Sequence, residues 1–322
     1  MSNALTAQKQ RFSVAITTDA YKELINNTLG DPARSRRFIA AITSAVAVNP
    51  ALQECTPQTI IAGALLGESM NLSPSPQLGR YYLVPFESKI KGPDGKIAYL
   101  MDETGKPIKD QNGKWKAATE KRAQFVMGYK GYIELAIRSA QYKDMDAIEI
   151  RDGEYLGKDP ETGKPKFRFI VDDEERESRP VIGYLAYFEY LNGFRKTLYW
   201  PKAKMMNHAN EYSKAFNAQT MLLMEQGKIP EADMWKYSSF WYKDFDGMAK
   251  KTMLRQLISR WGIMSVDMQQ AFEKDSAVIR LNEDGSFGGD FEDPAEPQAG
   301  QDQPPEVPEV PEGDQVSLAD LQ

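Results

Sequence analysis

Four cationic side chains share one face of a predicted helix in the last third of the chain. Three aromatic residues at 240–242 precede them, and the cations are Lys243, Lys250, Lys251 and Arg255. At about 100° per residue these four positions fall within one arc of roughly 140°. Cations in such a row can follow a phosphate backbone, and adjacent aromatic rings can stack on bases. The pattern favours a nucleic-acid interface, with a packing helix that has a solvated basic face as the alternative.

The flanking residues predict how this helix is positioned. Asp244 or Asp246 can cap its start, and Gly262 can end it. Phe245, Ala249, Thr252 and Met253 lie on the opposite side and predict a packing face. Gly247 lies within the basic arc, where a missing side chain would let a backbone come close.

The charge of the chain is unevenly distributed. Its formal net charge is −6 over 322 residues. Residues 283–322 contain twelve acidic residues and no Lys or Arg, so the remainder carries all 40 basic residues and a net charge of +6. A mildly basic body with an acidic, Pro-rich and Glu-rich tail indicates a protein that interacts with nucleic acid. Residues 276–322 are predicted to be a disordered acidic tail, and its disorder-promoting composition begins at Glu283.

Several chemistries lack their sequence signals. No Gly-Lys pair is followed by Ser or Thr, so a phosphate-binding loop for ATP is not expected. The single histidine, His208, and the single cysteine, Cys55, exclude the usual zinc sites and an intramolecular disulfide. The acidic groups at 149–154 and 172–177 fit solvated turns better than a nuclease metal site. We therefore expect a soluble, cytoplasmic protein that is not an enzyme.

The remaining pattern predicts a mixture of helices and strands. Asp31-Pro32 and Thr56-Pro57 mark helix starts. Strands are predicted at 81–86, 125–127, 145–150, 167–171, 181–190 and 194–199, the last two joined by an Asn192-Gly193 hairpin turn. Residues 87–122 predict one or two exposed, lysine-rich hairpins. The predicted divisions are a polar oligomerisation segment at 1–30, a core at 31–275 and the tail at 276–322.

Three stretches resemble the RecT family of phage single-strand annealing proteins. They are Tyr82-Leu83-Val84-Pro85-Phe86, Gly128-Tyr129-Lys130-Gly131 with the helix to Arg138-Ser139, and Trp241 through Arg255. They occur in the family's order across roughly residues 30–275. The chain departs from the family at Asn71-Leu72-Ser73-Pro74 and at Trp261-Gly262, and residues 87–122 and 217–236 look like expansions.

The resemblance implies an α+β fold in which helices pack on an antiparallel sheet and subunits assemble into rings or helical filaments. It implies an ATP-independent recombinase that binds single-stranded DNA and anneals complementary strands, with no cofactor beyond Mg²⁺ that accompanies the DNA. Carried over by motif, the phosphate contacts are Lys130, Arg138, Lys250, Lys251 and Arg255, and Tyr129 and Trp241 are further contacts. Trp241 is also a candidate anchor between the helix and the sheet.

Other functions remain open from the sequence. A metal-dependent nuclease would shorten DNA in Mg²⁺, and a passive single-strand coat protein would oppose pairing. The acidic tail could compete with DNA for a basic groove, recruit a phage exonuclease or a host single-strand-binding protein, or only keep the protein soluble. Competition predicts that truncation after Asn282 tightens single-strand binding at low salt.

Overall fold

A computed structural model describes residues 12–90, 92, 96–102, 104–110, 113–213, 215–237, 239–282 and 284–291. The chain forms two compact units. Within the described residues, unit 1 comprises 12–131 and 270–291, and unit 2 comprises 132–269. The start of the predicted oligomerisation segment (1–11) and most of the predicted acidic tail (292–322) lie outside the described residues.

Unit 1 begins with four α-helices, and the sequence marks the starts of the last two. They are α1 (Phe12–Ala15), α2 (Asp19–Leu29), α3 (Pro32–Ala47) and α4 (Pro57–Ser69). The carboxylate of Asp31 caps α3 by accepting a 2.8 Å hydrogen bond from the N–H of Ala33. Helix α2 packs on α3 and buries Ile25. The predicted role of residues 1–30 in oligomerisation stays a prediction.

The first sheet of unit 1 starts with a long antiparallel pair. Strand β1 (Tyr81–Lys89) pairs with β2 (Thr119–Met127) in an unbroken register from Tyr81 opposite Met127 to Lys89 opposite Thr119. Helix α4 covers this pair and is buried from Thr59 to Gly67. A Cβ on Gly67 would collide with the Tyr81 ring, so glycine allows the helix and the sheet to approach closely.

Residues 90–118 leave the β1–β2 pair and form what we call the three-hairpin element. Turns close at 92–96, 102–106 and 110–114, where the first residue of each donates to the carbonyl of the last. The backbones of Ile90, Ala98 and Ala118 form a closed ring of three hydrogen bonds, each 2.8 Å. Leu100, Ile108 and Lys116 form a second ring at 2.8–2.9 Å. The sequence predicted one or two hairpins here, and the rings join three turns into one unit.

Helix α5 (Tyr129–Arg138) leads into unit 2, whose main sheet is antiparallel in the order β3-β6-β7. The elements of this region are β3 (Tyr142–Arg151), β4 (Tyr155–Lys158), β5 (Pro165–Phe167), α6 (Asp173–Ser178), β6 (Val181–Tyr190) and β7 (Arg195–Pro201). The predicted Asn192-Gly193 turn is confirmed, because it joins β6 to β7 with Gly193 at φ +84°. The predicted strand at 167–171 is wrong for its second part, since β5 ends at Phe167.

Helices follow the unit 2 sheet in the chain. They are α7 (Lys202–Tyr212), α8 (Ala218–Glu225), α9 (Phe240–Lys243), α10 (Phe245–Trp261) and α11 (Val266–Lys274). Helix α10 packs against β3, β6 and β7, and α7 packs against β6, β7 and α8. The buried side of the sheet presents Tyr184, Ala186 and Phe188.

Helix α11 returns the chain to unit 1, where two further strands complete the first sheet. Strands β8 (Ala277–Leu281) and β9 (Phe287–Asp290) give it the antiparallel order β1-β2-β8-β9. The prediction that the folded part ends near residue 275, with disorder from Glu283, is therefore wrong for residues 277–290. A polar turn and the 2.7 Å Arg280–Asp290 ion pair join β9 to β8. The sequence did not predict β9 because two of its four residues are glycines, which are uncommon in strands. Truncation after Asn282 would remove β9, so the tail must be cut after Phe291.

The predicted fold class is confirmed at the level of elements, because the two larger sheets are antiparallel and both pack against helices. In the part of the chain that the structure describes, no helix combines the length and the apolar character needed to cross a bilayer.

One buried carboxylate, that of Glu154, forms hydrogen bonds that stabilise the segment between β3 and β6. Glu154 is fully buried and accepts hydrogen bonds from the Arg176 guanidinium at 2.7 Å and from the backbone N–H groups of Arg151 and Ile170 at 2.8 and 3.3 Å. Burial alone would raise the pKa of Glu154, but these hydrogen bonds and the charge of Arg176 outweigh it and hold the pKa below its usual value. Glu154 is therefore ionised in the folded state at neutral pH.

We expect Glu154→Gln to lower the free energy of unfolding by about 1–3 kcal/mol at pH 7, because buried hydrogen bonds to a charged group are lost. The folded pKa is depressed, so this stabilisation is present above the unfolded pKa of about 4.3 and disappears as the pH falls through the folded pKa. Urea unfolding from pH 7 to pH 3 measures the effect. Glu161→Gln, at an exposed turn of the same loop, is the matched control and should change little. A pH-independent difference would contradict the ionised pair.

Candidate nucleic-acid interface

The start of α5 is pressed against the turn that precedes β1. The N–H of Gly128 donates to the carbonyl of Arg80 at 2.8 Å. A Cβ on Gly128 or on Gly131 would collide with the backbone carbonyl groups of Gly79 and Arg80. The two glycines of the Gly128-Tyr129-Lys130-Gly131 motif are thus required by close backbone packing.

This packing places Lys130 at an exposed helix start. Its aliphatic stem lies against Gly79, where a Cβ would sit 3.4 Å from Lys130 Cδ and 3.2 Å from the Tyr82 hydroxyl oxygen. Tyr129, which precedes it, and Arg80, from the packed turn, are half-buried, and the Lys130 side chain is exposed. The partial positive charge of a helix N-terminus adds to these cations. The site suits an oxyanion such as a backbone phosphate.

In unit 2, the start of α10 departs from the predicted continuous basic face. Asp244 lies between α9 and α10 and interrupts the helix with a backbone φ of −148°. Its carboxylate caps α10 by accepting a 2.9 Å hydrogen bond from the N–H of Gly247. Lys243 therefore lies on α9, where it is exposed. A Cβ on Gly247 would collide with the Asp244 carboxylate. The space predicted for an approaching backbone is filled by this cap.

The cations of α10 itself are engaged within unit 2. Lys250 Nζ lies 3.0 Å from Glu149 Oε1 on β3. The side chain of Lys251 is buried, with the residue only 6% exposed. Arg255 Nη1 donates a 2.7 Å hydrogen bond to the buried Tyr132 hydroxyl. The helical periodicity of the sequence did not predict these internal contacts, because α10 packs on several strands and is buried on most sides. The assignment of these residues as phosphate contacts stays a prediction.

Arg138, at the end of α5, has looser partners. Its guanidinium nitrogens lie 3.5 Å from Glu134 Oε1 and 3.4 Å from Asp267 Oδ2. Both distances are at the outer limit for a charged hydrogen bond, and all three side chains are partly exposed. The assignment of Arg138 as a phosphate contact stays a prediction.

Trp241 lies in the packed interior of unit 2. It is 8% exposed, and its ring centroid is 5.3 Å from that of Phe245 and 5.9 Å from that of Phe216. This placement matches an anchor for α9 and α10. A base could not stack on Trp241 without displacing that packing.

Sequence reasoning missed other cation–aromatic pairs of unit 2. Lys196 Nζ lies 4.4 Å from the Trp261 ring centroid, and Lys204 Nζ lies 4.4 Å from the Trp200 ring centroid. Only the Lys204–Trp200 pair, whose residues are four positions apart, could have been predicted from local sequence spacing. Arg80 and Tyr82 were also missed as neighbours of Lys130, because a turn and a helix start that are distant in sequence bring them together.

Metal ligands do not converge in the described ranges. Among those residues, no group of three or more His, Cys, Asp or Glu side chains could hold a metal ion. Glu149 and Glu154 are instead bound to Lys250, Arg151 and Arg176.

Helix-covered antiparallel sheets with exposed cations define an α+β protein whose surface suits an anionic polymer. The sequence profile of the RecT family matches residues 36–287, and the chain belongs to this family. The match runs from α3 to β9 and so includes both units. As a member of this family, the chain is a DNA-binding recombination protein of the single-strand annealing class.

Two curated relatives are similar to this chain over most of its length. The Bacillus subtilis (strain 168) protein YqaK, described as uncharacterized, is 34% identical over 251 residues, which cover 77% of this chain and 67% of the relative. Protein RecT of Escherichia coli (strain K12) is 23% identical over 266 residues, which cover 81% of this chain and 78% of the relative.

Replacing the exposed and the buried lysines should separate binding from stability. Lys130→Ala and Lys243→Ala are expected to change the unfolding free energy by less than about 0.5 kcal/mol. Each should weaken single-stranded DNA binding for all sequences and lower the salt slope by about one unit. Lys251→Ala should instead destabilise the fold by about 1–3 kcal/mol, because a buried, engaged side chain is lost. Urea unfolding and binding titrations over a salt series measure both effects.

One result would reverse the assignment of these lysines. If Lys251→Ala folds as stably as the parent protein and loses one unit of salt slope, Lys251 is the phosphate contact and the exposed lysines are not required.

Proposed function

We propose that this protein binds single-stranded DNA through its phosphate backbone and anneals complementary strands without nucleotide hydrolysis. The observation that carries the proposal is the family match across residues 36–287, which spans both units of the fold. The name of the Escherichia coli relative, Protein RecT, supports the same reading.

The chemistry of the candidate contacts fits annealing. Lys130 at the helix start, Arg138 at the end of α5 and Lys243 on α9 all carry positive charges that can contact phosphate oxygens. Phosphate contacts position a strand without reading its sequence. The base edges then stay free to meet a second strand. A site that held the bases by their edges would have to release them before pairing.

The energy for this reaction would come from base pairing and from subunit assembly. We propose that no ATP is used, and that Mg²⁺ takes part only as a counterion of the DNA. We further propose rings or helical filaments of many subunits, in which neighbouring copies extend the basic surface. A cytoplasmic location, and recruitment of an exonuclease or a single-strand-binding protein by the tail, belong to the same proposal.

A passive coat protein and a metal-dependent nuclease are the competing functions. The coat protein shares the phosphate contacts but differs in outcome, because it stabilises the unpaired strand. The nuclease needs converging carboxylates. Glu149 and Glu154 are instead engaged by cations of the same chain.

The decisive experiment mixes two complementary oligonucleotides that carry a fluorescence donor and an acceptor. We expect the purified protein to accelerate pairing equally with and without ATP, and in EDTA as well as in Mg²⁺. The double variant Lys130→Ala/Lys243→Ala is the matched control and should slow pairing at a given protein concentration while remaining folded. A requirement for ATP would contradict the proposed mechanism.

The same reactions distinguish the competing functions. Pairing slower than without protein would indicate a coat protein, and shortened strands on a denaturing gel would indicate a nuclease. Electron microscopy of each mixture tests the assembly into rings or filaments.

A further inference from the structure

The three-hairpin element, residues 90–118 of unit 1, carries an exposed surface that phosphate binding at α5 does not use. Six large apolar side chains of this element are exposed, and Met101 and Trp115 are each 50% exposed. The other four are Ile97, Tyr99, Leu100 and Ile108. So many exposed apolar side chains within about 20 residues indicate an interaction surface.

The same element also carries exposed cations. Lys106, Lys109 and Lys114 are exposed, and none of them forms an ion pair with another residue that the structure describes. Lys109 Nζ lies 4.7 Å from the Trp115 ring centroid. The nearby carboxylates serve the turns instead, since Asp102 accepts from the N–H of Lys106 and Asp110 accepts from that of Lys114. The surface is therefore both apolar and positively charged.

These two properties select among partners. Single-stranded DNA would use the lysines and the rings of Tyr99 and Trp115, but the aliphatic side chains of the element offer no face on which a base can stack. A peptide that carries carboxylates and aliphatic side chains matches both properties. Residues 292–322 of this chain have nine acidic residues, no Lys or Arg, and an apolar end at Val316, Leu318 and Leu321.

We propose that the C-terminal segment, residues 292–322, docks on the three-hairpin element of its own chain. The segment follows β9 in the chain and the element connects β1 to β2, and these three strands belong to one sheet. Asp290 lies opposite Val278, and Val278 lies opposite Gln124. From there to residue 118 is about 20–25 Å, at roughly 3.3 Å per residue and 4.8 Å per strand. A random coil of this length would span on the order of 30 Å.

The proposal goes beyond annealing and does not depend on it. A tethered segment has an effective concentration on the order of millimolar, so a contact of millimolar affinity is already half occupied. Screening by salt shortens the reach of its charges, so docking weakens as ionic strength rises.

Amine acetylation followed by mass spectrometry tests the contact directly. We compare the full chain with a chain that ends at Phe291 and so keeps β9 intact. We expect Lys106, Lys109 and Lys114 to react at least about twofold more slowly in the full chain at low salt. Lys22, Lys158 and Lys164, which are exposed elsewhere, should react equally in both and serve as internal controls. Replacing Val316, Leu318 and Leu321 with serine should reduce the protection while keeping the acidic charge.

A labelled synthetic peptide of residues 292–322 gives a second readout with the shortened chain. We expect it to bind, and we expect Lys106→Glu/Lys109→Glu/Lys114→Glu to weaken binding by roughly tenfold, because several ion pairs reverse sign. The matched variant Lys22→Glu/Lys158→Glu/Lys164→Glu should bind as the parent does. Circular dichroism confirms that both variants fold.

Three outcomes would overturn the proposal. Equal acetylation of the full and shortened chains would show that the segment docks elsewhere or not at all. Protection that appears only with added single-stranded DNA would assign the surface to DNA. Protection that disappears on dilution would assign it to contacts between copies. None of these results bears on whether the protein anneals strands, which the fluorescence assay decides separately.

Discussion

The fold of unit 2 depends on the burial of α10 against the sheet β3-β6-β7. Phe245, Ala249, Met253 and Leu257 are buried along one side of the helix, and Lys251 is buried as well. The Tyr184 hydroxyl donates a 2.5 Å hydrogen bond to Asp246 in the first turn of the helix. Burial and the adjacent carboxylate raise the pKa of Tyr184, so the hydroxyl stays a donor at neutral pH. Apolar packing and this hydrogen bond together fix where the helix begins and which side chains face outward.

The same packing explains which parts of the site the sequence predicted. Helix starts with a local signal, such as Asp31-Pro32, and the Asn192-Gly193 turn were predicted because neighbouring residues determine them. The Gly128-Tyr129-Lys130-Gly131 motif was singled out by family resemblance, and the structure supplies its physical reason in the backbone of Gly79 and Arg80. In contrast, Glu149 engages Lys250 from 101 residues away, and no local pattern predicts such a partner.

Charge patterning proved less informative than charge exposure. On a helical wheel, Lys243, Lys250, Lys251 and Arg255 look equivalent, yet the structure gives them four different environments. One is exposed on a separate short helix, one faces Glu149, one is buried and one donates to a tyrosine. A wheel assumes a single uninterrupted helix with one solvent side. Asp244 breaks the helix, and the surrounding elements remove much of the solvent side.

The closure of the three-hairpin element also bears on how this part of the chain could vary. Its first and last residues, Ile90 and Ala118, are joined by a 2.8 Å backbone hydrogen bond, so the element enters and leaves the sheet at one point. The register of β1 and β2 is continuous beneath it. Such an element can be shortened, replaced or exchanged without shifting the strands that carry it. Unit 1 thus provides a graft point, at which new recognition properties can be added while the annealing fold is left unchanged.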